Sequence, residues 1–123
     1  MKWYLKVLNQ YADFSGRARR EEFWMFELYN VIISFFLGIF CFIFFDLFYH
    51  TSATSLFNGI IILYSLAILI PRLAVTIRRL HDVNASGWML FVLFIPLIGQ
   101  IWILVLLFTE GNKGSNKYGP NPK

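Results

Sequence analysis

The feature that most constrains this chain is a series of three long apolar runs, 24–48, 56–77 and 88–108, separated only by short polar links. In the first run, Leu28 to Phe45 is 18 residues without a charge, with Glu27 and Asp46 at its margins. At 1.5 Å per residue that is about 27 Å of α-helix, close to the thickness of a bilayer's hydrocarbon core. In the second, Leu56 to Ile70 supplies only 15 residues before Pro71 and Arg72. It reaches span length when Arg72 snorkels to the interface, and the proline marks a kink of the kind membrane helices tolerate. The third run, Trp88 to Phe108, is 21 residues without a charge and fits one full span. Pro96 and Gly99, in its IPLIG stretch, point to a kink, with a re-entrant hairpin as the less favoured geometry.

Composition excludes the soluble alternative. The chain is 58% hydrophobic and only 15% charged, against about 25% charged in soluble domains. Fourteen Phe and four Trp exceed what a soluble core of this size can hide. The expected fold is therefore all-α: a polytopic transmembrane helical bundle of about three spans, forming a single membrane domain over 1–123.

Residues 1–22 form a basic, amphipathic segment. Trp3, Tyr4, Val7, Leu8 and Tyr11 share one helical face, with Lys2 and Lys6 to one side. This predicts a short N-terminal helix, either interfacial or packed on the bundle. Ser15 and Gly16 read as a break and an N-cap, and Arg17 and Glu21 as an i, i+4 pair. No apolar stretch precedes the first run, so that run is expected to act as an uncleaved signal-anchor. The tail, 109–123, is rich in Gly, Asn, Pro and Lys and reads as flexible and polar.

Charge distribution orients the bundle. Five of the eleven Lys and Arg precede the first span, and Arg72, Arg78 and Arg79 flank the second link. The first link, Tyr49 to Ser55 with His50, has none. The positive-inside rule puts the N-terminus in the cytoplasm. Three full spans would leave the tail's three lysines outside, whereas a re-entrant third run would put all eleven cations inside.

Few residues suggest chemistry. Glu27 and Arg72 fall at similar depth on adjacent antiparallel spans, which predicts a contact between them. Arg17, Arg19, Arg20, Arg78, Arg79, His81 and Asp82 gather on the same side. They read as a salt-bridge layer closing the bundle, or else as a site for anionic lipid headgroups. Adjacent His81 and Asp82 diverge by about 100° on a helix, so they make a poor acid/base dyad. The lone Cys41 reads as a packing residue. No phosphate-binding loop, nucleophile elbow, zinc helix or nucleic-acid reader is present, so no catalytic, metal or cofactor site is expected and nucleic acid is not an expected partner.

The segments MKWYLKVLNQYADFSGRARREEFWMF, IRRLHD followed by SGW, IPLIG and EGNKGSNKYGPNPK, in that order, resemble the bacterial inner-membrane family known as domain of unknown function 805, of YhaH/YhaI type. The chain departs from the family pattern at Val83-Asn84-Ala85 and at Met89. The resemblance implies a small multi-pass protein of the bacterial inner membrane and no particular reaction. The reading that follows is a non-enzymatic bundle that is structural, lipid-interacting or partner-binding. Its expected partners are membrane lipids with anionic headgroups, with a second copy or another membrane protein left open. The alternative is a subunit of a small oligomeric transporter or channel, for which Ser34, Tyr64, Ser65 and Gln100 are the candidates to line a polar path.

Overall fold

The computed structural model describes residues 1–49 and 53–123, so His50 of the first link lies outside the described residues. Three α-helices come first, α1 (Lys2–Asn9), α2 (Arg20–Tyr49) and α3 (Ala53–Asp82), followed by a 3₁₀ arm (Gly87–Phe94) and α4 (Ile98–Phe108). At 30 residues each, α2 and α3 run for about 45 Å, longer than a ~30 Å hydrocarbon core. The outer surface of α2 carries Phe35, Phe36, Phe40 and Phe42, all 62–65% exposed, and that of α3 carries the likewise exposed Leu63 and Leu66. Water penalises such a surface and acyl chains solvate it. Gly38 lets the two helices approach, since a Cβ there would stand 3.2 Å from the Phe57 ring.

Helix α1 packs on the bundle, the second of the two arrangements its pattern allows. It runs antiparallel along the start of α2. Lys6 meets Glu22 at 2.6 Å, Tyr4 stacks on Phe26 with ring centroids 5.3 Å apart, and the N-terminal ammonium donates to the Tyr29 hydroxyl at 2.8 Å. Val7 is fully buried.

Helix α2 starts at Arg20, later than Ser15 and Gly16 suggest. Ser15 does not cap it. The Ser15 N–H and hydroxyl instead donate to Asp13 Oδ1, at 3.0 and 2.6 Å, which holds the Asp13 carboxyl below its usual range. Gly16 then turns the chain at a φ of +77°, which a residue without Cβ adopts freely. Arg17 is thus outside the helix and has no i, i+4 relation to Glu21.

Helix α3 runs unbroken through the buried Pro71. It closes on a Schellman turn, in which Asn84 takes φ +60° and the Ala85 N–H donates to the Leu80 carbonyl at 2.9 Å.

The third apolar run is not one continuous helix. It breaks between the 3₁₀ arm and α4. Pro96 has no N–H with which to continue a helix. Leu97 lies at φ +63°, ψ −60°, and the Ile98 N–H donates to the Pro96 carbonyl at 2.8 Å. This is the rare positive-φ form of the γ-turn. Gly99 then lets α4 fold back, because a Cβ at that position would strike the Val92 carbonyl. Gln100 Nε2 ties the two arms by donating to the Leu93 carbonyl at 3.0 Å. Eight residues at ~2.0 Å rise and eleven at ~1.5 Å both come to about 16 Å. The arms are therefore matched in length and lie against each other as a hairpin. Gly87 abuts Ile77, and the Leu107 carbonyl accepts from Arg79, so both feet of the hairpin stand at one end of α3.

The core lies at this same end. Val7, Phe23, Phe26, Val75, Leu80, Ile103 and Leu107 pack together where α1, α2, α3 and the hairpin meet.

Candidate functional site

The charged residues near the feet of the hairpin form a buried clasp. Asp82, at the end of α3, bridges two guanidinium groups with one oxygen each. Oδ1 takes Arg17 Nη2 at 2.8 Å and Nε at 2.9 Å, and Oδ2 takes Arg79 Nη1 at 2.6 Å. All three side chains are at most 3% exposed. Buried charges are tolerated when every partner is in place, and here the remaining donors find backbone. Arg17 Nη1 donates to the Gly114 carbonyl and Nη2 to the Asn112 carbonyl, both at 2.6 Å. Arg79 donates to the Leu107 carbonyl at 3.3 Å and to the Thr109 carbonyl.

The tail is consequently held in place, against its expected freedom. Besides the two arginines, the Asn112 N–H donates to the Asp82 carbonyl at 2.8 Å, Asn116 Nδ2 to the His81 carbonyl at 2.9 Å, and Arg19 to the Pro122 carbonyl at 2.5 Å. Gly111 sits so close to Asp82 that a Cβ would strike the carboxylate. A Gly- and Asn-rich composition reads as loose, yet here it lets backbone carbonyls approach guanidinium groups that side chains would keep at a distance.

A second buried group lies alongside. Glu22 accepts from Arg78 Nη1 at 3.1 Å and from Lys6 at 2.6 Å. Arg78 Nη1 also donates to Gln10, and the Arg78 carbonyl accepts from the Ala18 N–H at 3.0 Å. Arg20 reaches the Phe108 carbonyl at 3.3 Å.

His81 does not work with Asp82. Its Nδ1 donates to the Gly16 carbonyl at 3.0 Å, and its ring lies flat on Tyr118, with centroids 3.9 Å apart. Glu27 and Arg72 do meet, with Arg72 Nε donating to Glu27 Oε1 at 2.7 Å. That pair stands apart from the clasp, on the outer face of α2 and α3, with the Arg72 side chain 51% exposed.

Of the nine residues singled out from sequence, Arg17, Arg79 and Asp82 thus form one unit and Glu27 with Arg72 another. Arg19, Arg20, Arg78 and His81 each bond elsewhere. Sequence reasoning missed Lys6 and Glu22, whose pairing requires α1 to fold back on α2. It also missed Asn30, a buried amide in the first span that accepts from the Tyr64 hydroxyl at 2.7 Å. The signal for Asn30 was available, because an amide in an otherwise apolar span usually bonds across helices.

The four candidate pore residues line no common path. Ser34 sits in a shallow apolar groove with Gly38 and Phe57, Tyr64 bonds Asn30, Ser65 is exposed on the outer face, and Gln100 ties the hairpin.

Over residues 11–120 the chain matches a family described as "Protein of unknown function (DUF805)". It is similar to the Escherichia coli (strain K12) "Inner membrane protein YhaI", 44% identical over 128 residues that cover 100% of this chain and 97% of that protein. It is also similar to "Inner membrane protein YhaH" of the same strain, 40% identical over 123 residues that cover 100% of this chain and 98% of that protein. No solved structure matches the chain.

Proposed function

Because the chain belongs to the DUF805 family and is an integral membrane protein, we propose that it is a two-span inner-membrane protein with a half-depth hairpin, that both termini lie in the cytoplasm, and that its role is non-enzymatic. In this reading the bundle embeds in lipid and acts by binding lipid or a membrane partner. The observation that carries the reading is the clasp. Arg17 and Arg79 hold the tail against the start of α2 and the end of α3, so the third apolar run returns to the side from which it left. The exposed flanks of the hairpin, Trp88, Phe91, Phe94, Leu97 and Ile101, then call for acyl chains in one leaflet. All eleven cations fall on the side of the clasp, which the positive-inside rule assigns to the cytoplasm. A non-enzymatic role is supported by the internal use of Glu22 and Asp82, whose carboxylate oxygens are all paired within the fold, and of His81, whose Nδ1 is bonded to the Gly16 carbonyl. The transporter alternative lacks a polar path through one copy among the described residues.

Cysteine labelling tests the topology. With Cys41 replaced by serine, a cysteine at Ser115 should react with a membrane-impermeant maleimide only after the membrane is permeabilised. Reaction in intact spheroplasts would overturn the reading and restore three full spans.

A further inference from the structure

Three cations gather on one indole. Lys2 Nζ stands 5.0 Å from the centre of the Trp3 ring, Lys6 Nζ 5.6 Å, and the Arg19 guanidinium carbon 5.6 Å. Lys2 and Lys6 are four residues apart on α1 and so lie one above the other beside Trp3. Arg19 arrives from the residue just before α2. Contacts with an aromatic face attract each cation without neutralising it, so the three positive charges still repel one another.

The counter-charge in reach is already shared. Lys6 pairs with Glu22 Oε2, while Glu22 Oε1 is held by the buried Arg78. Arg19 Nε donates to a neutral acceptor, the Pro122 carbonyl. The ion pairs among the described residues include no carboxylate bound to Lys2 or to Arg19. The cluster is therefore electrostatically suited to one more anion.

The surroundings select which anion. Met1, which caps the start of α1, and Leu5, one turn further along it, are 66% and 51% exposed. Although α1 packs along α2, its exposed side combines apolar residues with lysines and a tryptophan, the mixture that suits the level where headgroups meet acyl chains. A phosphate carried on acyl chains satisfies both the cations and this apolar flank, whereas a free phosphate satisfies only the cations. We propose that Lys2, Trp3, Lys6 and Arg19 seat the phosphate of an anionic phospholipid of the cytoplasmic leaflet, with its chains against Met1 and Leu5. This rests on the reading that the clasp end of the bundle is the cytoplasmic end.

The test is native mass spectrometry of the detergent-purified full chain, offered phosphatidylglycerol or phosphatidylcholine. The parent should retain phosphatidylglycerol in preference, and retention should fall as ionic strength rises. Lys2→Gln and Arg19→Gln should each lower that retention about fivefold, the size expected for one cation at an anionic surface. Lys113→Gln, in the tail, should leave it unchanged. Because Arg19 also bonds the tail, its variant is checked by thermal melting. Lys2→Gln, exposed on α1, carries the test even where Arg19→Gln unfolds. The proposal is overturned by parent-like phosphatidylglycerol retention in Lys2→Gln, or by equal retention of phosphatidylcholine. Displacement of the lipid by inorganic phosphate at matched concentration would also overturn it, as the mark of a free-phosphate site. The labelling of Ser115 is independent: its failure removes the topology, while lost lipid preference with labelling intact removes only the seat.

Discussion

The hydroxyl of Tyr11 donates to the backbone carbonyl of Ala67, four residues before Pro71. That carbonyl is the one left without its helical partner by the missing N–H of Pro71. Within a membrane an unpaired carbonyl is costly, so the side chain that follows α1 repairs the span it packs against. Tyr11→Phe should therefore lower the stability of the detergent-solubilised protein by about 1–3 kcal/mol, the cost of an acceptor left unpaired away from water. In a Pro71→Ala background, where the helix can bond Ala67 itself, the same substitution should cost distinctly less. A double-mutant cycle on thermal melting reads the coupling, and equal costs in the two backgrounds would refute it.

The clasp makes a different prediction. Asp82→Asn keeps the shape of the side chain but leaves Arg17 and Arg79 facing each other without a counter-charge. Breaking a buried pair in this way costs about 3–5 kcal/mol. The tail should come free first, because it is held by those two guanidinium groups. Limited trypsin digestion at Lys113 and Lys117 should accelerate in Asp82→Asn before the bundle itself melts. Gly111→Ala should act in the same direction by pushing a methyl group into the carboxylate. Unchanged digestion in both variants would show that the tail is held by something else.

What the sequence discloses and what it hides divides along physical lines. The first span is legible from its uncharged length and its charged margins, and the second, with only 15 uncharged residues before Pro71, is legible once Arg72 is counted as snorkelling to the interface. The meeting of Glu27 and Arg72 is legible because depth along antiparallel helices follows from residue counts alone. The fold-back at Pro96 is not, since length and apolarity suit one full span and two half-depth arms equally well. The choice is made by the positive φ at Leu97 and the close approach at Gly99, which are features of tertiary packing. The arrested tail is hidden for a related reason. Composition reports that 109–123 has no core of its own, but not that Arg17, outside any helix, is free to reach its carbonyls.

The hairpin turn is itself testable. Leu97 takes a backbone conformation that costs a side-chain-bearing residue of order 1–3 kcal/mol, and Gly99 is the point where the two arms touch. Leu97→Gly should raise the melting temperature by relieving the turn, even though it removes an apolar side chain from the surface. Gly99→Ala should lower it, because the methyl group meets backbone that cannot step aside. If the run were instead one straight helix, the signs would reverse: glycine would weaken it and alanine would strengthen it, by about 1 kcal/mol each.

The Glu27–Arg72 pair lies where the outer faces of α2 and α3 meet lipid, and its geometry sets the sign of its mutants. Arg72 Nε and Nη2 engage the two carboxylate oxygens side by side, a fork that fixes both side chains. Removing either partner leaves a single charge on an apolar surface, which is expensive near the bilayer core. Glu27→Leu and Arg72→Leu should therefore each destabilise the protein when melted in phospholipid nanodiscs. The double variant exchanges the pair for two apolar side chains and should recover most or all of the loss, as buried ion pairs replaced whole tend to do. The recovery should shrink in a small-headed, water-rich detergent micelle, where a stranded charge is better solvated. Additive losses in the double variant would mean that the two residues act separately, and that the contact contributes nothing to holding the spans together.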